Sequence, residues 1–305
     1  MRTIAAAECL SDEAVEALSG KFMGPGDFDT LVADDARVVR PDGSTLLIYR
    51  REAIPAEHCR AAYAALRTAA SMTENRGSAG GEIGEQKTKR PAGVKNRTMY
   101  RPILVDGTLS NTSFGIPVNS GIVGYYDRYQ RIPYCRTTAF NLEKPEKFAA
   151  ALPFIRAADA TFAELAPDRY AAQRAVVERT SPDFVIHGTA FTTVTVNKNW
   201  QTALHVDRGD YRPGFGVMSA LRHKRYDGGF LVFPKYRVAV DMRTRGVLLA
   251  DVHQWHGNTP IFKRDPDCER LSTVLYYRES MHKCGSAAEE LERAKNRKPG
   301  DPLWG

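Results

Sequence analysis

The chain has 305 residues, of which 43% are hydrophobic and 26% charged, and its net charge is +7. That length suits one large domain with a sizeable core, and no apolar run approaches the ~20 residues a membrane span needs. The opening "MRTIAAAECLSDEAVEAL" puts acids where a signal peptide has its apolar core, so an intracellular chain without a membrane segment is expected. The cationic excess suits a polyanionic partner such as nucleic acid. The five cysteines, Cys9, Cys59, Cys135, Cys268 and Cys284, are odd in number, scattered and free of CxxC. They read as free thiols, which argues against a disulfide framework and a zinc knuckle.

Residues 11–20 read as a short helix with Ser11 as N-cap before "DEAVEAL". "STLLIYRR" (44–51) is rich in strand formers. "PAEHCRAAYAALRTAASM" (55–72) places Pro55 at a first-turn position before many alanines, the pattern of a helix. Residues 73–102 are glycine-rich and carry Lys87, Lys89, Arg90, Lys95, Arg97 and Arg101. This reads as a long basic loop, either a solvated surface segment or one that contacts phosphates. Residues 145–178 read as two helices broken near Pro167. From 185 onward short β-rich runs divided by Gly, Pro, Asn and Asp predict a β-sandwich or small barrel. "SAAEELERAKNRK" (286–298) is a polar helix. The expectation is an α+β chain acting as one unit over 1–305. Residues 1–184 form a mostly helical part carrying the basic loop. Residues 185–280 form a double-stranded β-helix (jelly-roll, cupin-like) core, and 281–305 form a helical tail.

Within the β-rich half, "TALHVDRGD" places His205 and Asp207 two residues apart, on one face if the segment is a strand. Two histidines and one carboxylate on one face are the donor set of non-haem Fe(II) oxygenases, with the other face open. The distal histidine is His253 or His256 of "DVHQWHGNTPI". We favour His256, which precedes a turn and lies 14 residues before Arg270. Arg270 and Ser272 open "RLSTVLYYR" on one strand face and suit a dicarboxylate such as 2-oxoglutarate. "YDGGFLVFP" (226–234) adds a tight glycine turn into a strand. His253 then reads as a buried neighbour, while His58, His187, His223 and His282 carry no metal role.

This ordered set resembles the TET and base-J-binding-protein group of Fe(II)/2-oxoglutarate dioxygenases, including phage-type relatives, over roughly residues 185–280. The motifs are "HVDRGD", "HGNTPI" and "RLSTVLYYR". The resemblance implies iron on His205, Asp207 and His256, and 2-oxoglutarate on Arg270 and Ser272. Asn197 is expected to help orient the co-substrate, and O2 to complete the cofactor set. It implies hydrogen abstraction from the 5-methyl group of a pyrimidine in DNA, with no side chain assigned as a separate acid or base. The base must be flipped out of the duplex. Tyr276 is expected to stack on it, and Lys87, Lys89, Arg90, Lys95 and Arg97, with the cluster Arg222, Lys224 and Arg225, to hold phosphates. Two positions depart from the pattern. Asp210 stands where relatives often carry Asn, and Arg278 where TET enzymes carry His. A carboxylate at 210 would accept from the cytosine N4 amino group, which leans the expectation to 5-methylcytosine over thymine. The same chemistry on a small molecule, free nucleotide or protein side chain is the alternative, and an inactive DNA-binding module the third reading.

Overall fold

The computed structural model describes residues 1–84, 92–95, 97–129, 132–298 and 302–304. The chain opens with β1 (Arg2–Ala5), α1 (Asp12–Glu16), β2 (Thr30–Val32), β3 (Ala36–Val39), β4 (Thr45–Arg50) and α2 (Ala56–Leu66). Next come β5 (Ser71–Thr73), β6 (Ala92–Lys95), β7 (Tyr100–Pro102), β8 (Val118–Tyr126) and β9 (Arg136–Thr137). Helices α3 (Ala139–Glu143), α4 (Pro145–Leu165) and α5 (Pro167–Val177) lead to β10 (Thr193–Lys198), β11 (Gly216–His223) and β12 (Tyr226–Gly228). The chain ends through β13 (Leu231–Phe233), β14 (Val238–Val240), β15 (Val247–Ala250), β16 (Gly257–Asn258), β17 (Ile261–Lys263), β18 (Glu269–Tyr276) and α6 (Ala287–Asn296).

A large sheet runs β1-β3-β4-β15-β11-β18-β10-β8-β5, and a small sheet runs β16-β13-β14-β2. Alternation along the central strands builds two cores. Ile48, Val194, Val196, Val217, Leu249, Leu271 and Leu275 pack against Phe154, Ile155 and Phe162 of α4 and Leu66 of α2. On the other face Met218, Ala220, Leu248 and Leu46 meet Val32, Leu231, Phe233, Val238 and Val240 of the small sheet. Helices thus cover one face of the large sheet and the small sheet covers the other, leaving a cavity between the sheets.

Three expectations change. Among the described residues, the part before residue 185 carries nine strands beside five helices, because β1, β3, β4, β5 and β8 extend the large sheet. Their partners, such as β15 for β4 and β10 for β8, are far along the chain, so local pattern does not show them. The alanine-rich helix ends at Leu66, and Ser71–Thr73 pairs with β8 instead. The basic segment is not loop throughout, since β6 and β7 pair antiparallel.

Two cysteines are not free. Cys135 and Cys284 form a disulfide across 149 residues, with Cα atoms 5.9 Å apart. It lies in a cluster with Tyr277, Met281 and Val176, beside α6. Cys9, Cys59 and Cys268 are free thiols, as expected.

Candidate active site

Among the described residues, His205, Asp207 and His256 bring their ligand atoms within 4.8 Å of one another. "TALHVD" is not a strand of the sheets. Its one β-bridge joins His205 to His256, and there His205 N and His256 N each donate to the other's carbonyl at 2.9 Å. Asp207 N donates to Val252 O at 3.0 Å, which turns the carboxylate toward both imidazoles. Its oxygens lie 3.5 Å from His205 Nε2 and 3.6 Å from His256 Nε2. Gly257 follows the distal histidine because a Cβ there would stand 3.0 Å from Leu204 N.

Each imidazole is held from behind. His205 Nδ1 donates to Ala203 O at 2.7 Å and His256 Nδ1 to Gln254 O at 2.9 Å. That tautomer leaves both Nε2 lone pairs aimed at a common point, as metal ligation requires. Burial, then the neighbouring His256, pushes His205 down to about 4. Burial pushes the Asp207 pKa up, yet the imidazoles of His256 and His205 beside it prevail and hold it at about 2. The arrangement therefore offers a neutral imidazole and an ionised carboxylate. His253 stays outside, with Nε2 3.1 Å from Asp210 O.

The cavity over this face is about 420 Å³ and is lined by Asn197, Asp210, Arg270, Ser272, Tyr276 and Arg278, among others. This volume is in the range of small-molecule sites. β18 explains most of the wall, since Leu271 and Leu275 face the helices while Arg270, Ser272, Val274 and Tyr276 face the cavity. β10 does the same with Thr195 and Asn197. Arg270 is 2% exposed, and its Nη2 donates to Gly229 O at 3.1 Å. Gly229 lies at φ +69°, and a Cβ there would press on Arg270 Nε at 3.1 Å. Burial pushes the Arg270 guanidinium down, the sign of a cation whose surroundings lack enough negative charge. A dicarboxylate fits that deficit, and the two free Nε2 atoms beside Asp207 fit a metal. Asn197 is oriented by Ser120, whose hydroxyl donates to its Oδ1 at 2.6 Å.

Asp210 is 7% exposed, and its Oδ2 is buried without a partner. Burial and the nearby charge of Asp207 push its pKa well up. Tyr276 Oη lies 3.3 Å from Thr195 Oγ1, and Arg278 Nη2 pairs with Asp127 at 2.6 Å.

The phosphate-binding residues expected from the sequence fare differently. Lys87, Lys89 and Arg90 lie outside the described residues. Lys95 is in β6. Arg97 pairs with Glu82 and donates to Ala17 O at 2.9 Å. Arg222, Lys224 and Arg225 are not at the cavity; they pair with Asp241, Asp267 and Asp265 around a separate depression. Sequence reasoning missed Arg76, which lines the site cavity with Nε buried and unpartnered. Its only sequence signal was a place in a basic, glycine-rich stretch.

The Tet_JBP family, described as the oxygenase domain of the 2OGFeDO superfamily, matches residues 121–279. The chain belongs to this family. The matched span includes His205, Asp207, His256, β18 and Tyr276. Enzymes of this superfamily are Fe(II)- and 2-oxoglutarate-dependent dioxygenases that consume O2. The thymine dioxygenase JBP1 of Trypanosoma brucei brucei is 37% identical over 190 residues, covering 60% of this chain and 22% of that protein. The bifunctional helicase and thymine dioxygenase JBP2 of Leishmania major is 35% identical over 188 residues, covering 61% of this chain and 16% of that protein. The chain thus spans about a fifth of the length of these relatives. NgTET1, solved in complex with 5mC DNA, is similar in fold: the TM-score is 0.60 at 11% identity, covering 97% of this chain and 91% of that one. No helix among the described residues is long and apolar enough to cross a membrane.

Proposed function

We propose that this chain, as one catalytic unit, hydroxylates the 5-methyl group of a pyrimidine in DNA, with thymine the favoured base. The observation that carries the base choice is Asp210, a buried carboxyl with an unpartnered oxygen in the same cavity as the metal ligands. The leaning to 5-methylcytosine rested on an ionised Asp210. Burial favours the protonated acid, whose O–H donates to the thymine O4 acceptor. The relatives named as thymine dioxygenases support the same choice. A second reading keeps 5-methylcytosine, because Arg278 beside Asp210 favours the carboxylate that accepts from N4.

Iron and 2-oxoglutarate with O2 supply, when bound, the oxidation of an unactivated C–H bond. His205, Asp207 and His256 would hold the metal, and Arg270 and Ser272 the distal carboxylate, with Asn197 beside them. Tyr276 offers a ring face to a flipped base, and Arg278, held by Asp127, fixes the far side of the base pocket. Arg76 adds a further cation to the cavity, suited to the remaining negative charge of the co-substrate. Lys87, Lys89, Arg90, Lys95 and Arg97 are assigned to the DNA backbone.

The test is mass spectrometry of nucleosides after incubating protein, Fe(II), ascorbate and 2-oxoglutarate with DNA containing thymine alone or 5-methylcytosine as well. An added oxygen on thymine supports the first reading, and one on 5-methylcytosine alone supports the second. Asp207→Ala should abolish either product, because two imidazoles without the carboxylate lose most of the metal affinity. Wild-type turnover in that variant would sink the iron site.

A further inference from the structure

We propose that the hairpin turn after β7, with Leu104 and Val105 at its apex, is an apolar wedge that enters the base stack of duplex DNA beside the flipped base. The inference rests on the DNA reading above. Ile103, Leu104 and Val105 are 40%, 46% and 110% exposed, an unusual content for a turn apex, where polar residues and glycine prevail.

The turn is built to hold them out. Ile103 pairs with Leu109, Leu104 N donates to Thr108 O at 2.7 Å, and Gly107 N donates to Leu104 O at 3.0 Å. Asp106 is used inside the turn, accepting from Thr108 N at 2.9 Å and from its hydroxyl at 2.7 Å. With these polar groups satisfied locally, the apolar side chains are left for a partner.

The hairpin is rooted at the rim of the site cavity. Tyr100 and Phe114 form a bridge with both hydrogen bonds at 2.8 Å, and Gly115 N donates to Glu74 O at 2.6 Å. The residues just after Glu74, Asn75 to Ala79, form a wall of that cavity. Five residue steps separate Tyr100 from Val105, a reach of up to about 16 Å when extended, more than the roughly 8.5 Å depth of the major groove.

The chemistry of the stem favours DNA over protein. Residues 92–112 carry three cations, Lys95, Arg97 and Arg101, against one acid, Asp106, and of these Arg97 is paired with Glu82. Two or three apolar side chains are far too few for a stable protein interface. They are what DNA-kinking proteins insert between base steps. Extruding a base also leaves a gap in the stack that such a wedge fills.

The experiment compares wild type with the double variant Leu104→Ser, Val105→Ser on matched duplex and single-stranded substrates. A single strand needs no extrusion. The variant should lose roughly tenfold or more of its turnover on duplex, and less than about twofold on the single strand. In parallel, 2-aminopurine beside the target base should brighten in duplex bound to wild type, and not in duplex bound to the variant. Unchanged duplex turnover, or an equal loss on both substrates, overturns the wedge. A wild type that oxidises neither DNA would instead sink the functional reading, and the 2-aminopurine signal would still decide the wedge.

Discussion

Asp210 is the residue on which base choice turns, and its protonation gives that choice a pH dependence. Its pKa is raised by burial and by Asp207. A raised carboxyl is neutral below its folded pKa and ionises as pH rises through it. The donor to thymine O4 is therefore present at lower pH and lost at higher pH, while the acceptor for cytosine N4 strengthens. On DNA carrying both bases, the ratio of oxidised thymine to oxidised 5-methylcytosine should fall as pH rises. Asp210→Asn, which cannot ionise and offers both donor and acceptor, should show a flat ratio. A ratio that falls equally in the variant would remove Asp210 from base reading. The grouping of His205, Asp207 and His256 was legible because H-x-D, a distal H-G-N and R-x-S occur in one order within one β-rich stretch. Arg76 was not, because nothing in "NRGSAGG" reveals that it lines the same cavity as Tyr276.

At the scale of elements, β18 unites fold and site, since its alternation sends Leu271 and Leu275 into the core and Arg270, Ser272 and Tyr276 into the cavity. The C-terminal helix α6 is fastened by a different device. Glu290 is 2% exposed and pairs with Arg128, which is 6% exposed by side chain. It also accepts from Cys135 N at 2.7 Å and Gly285 N at 2.9 Å. Cys135 and Cys284 are joined at the same spot. Burial raises the Glu290 pKa, but Arg128 and the two backbone amides prevail and lower it. Its contribution to stability is thus present above the unfolded value and lost as pH falls through the lower folded one. Glu290→Ala should destabilise the protein by about 3–5 kcal/mol, because it leaves Arg128 buried without its counter-charge. Denaturant unfolding at neutral pH measures this, and a midpoint unchanged from wild type would show that the pair does not hold the tail.

Across the whole molecule, the excess of seven positive charges is unevenly used. Arg222, Lys224 and Arg225 are absorbed by carboxylates at a depression away from the cavity. The segment that precedes the hairpin carries Lys87, Lys89 and Arg90 and follows the cavity wall in the chain. Replacing these three with Ser should weaken DNA binding and lower the slope of log affinity against log salt by roughly 2.7, at about 0.9 per phosphate contact. An unchanged slope in a fluorescence-anisotropy titration would take this segment out of the interface.

The sequence by itself determined which two histidines and one aspartate come together, the strand that carries Arg270 and Ser272, the helices at α4, α5 and α6, and the double-stranded β-helix class. Each of these is written in local periodicity or in motif spacing, which survives without knowledge of distant contacts. Only the tertiary structure decided which early strands complete the large sheet, that Cys135 meets Cys284, and that Asp210 is buried beside a second carboxylate. It also decided that Arg76 faces the cavity while Arg222 is turned to Asp241. These depend on residues tens to hundreds apart becoming neighbours. Burial and charge pairing, which set whether an acid is ionised or a cation is available, are properties of that neighbourhood and not of the residue.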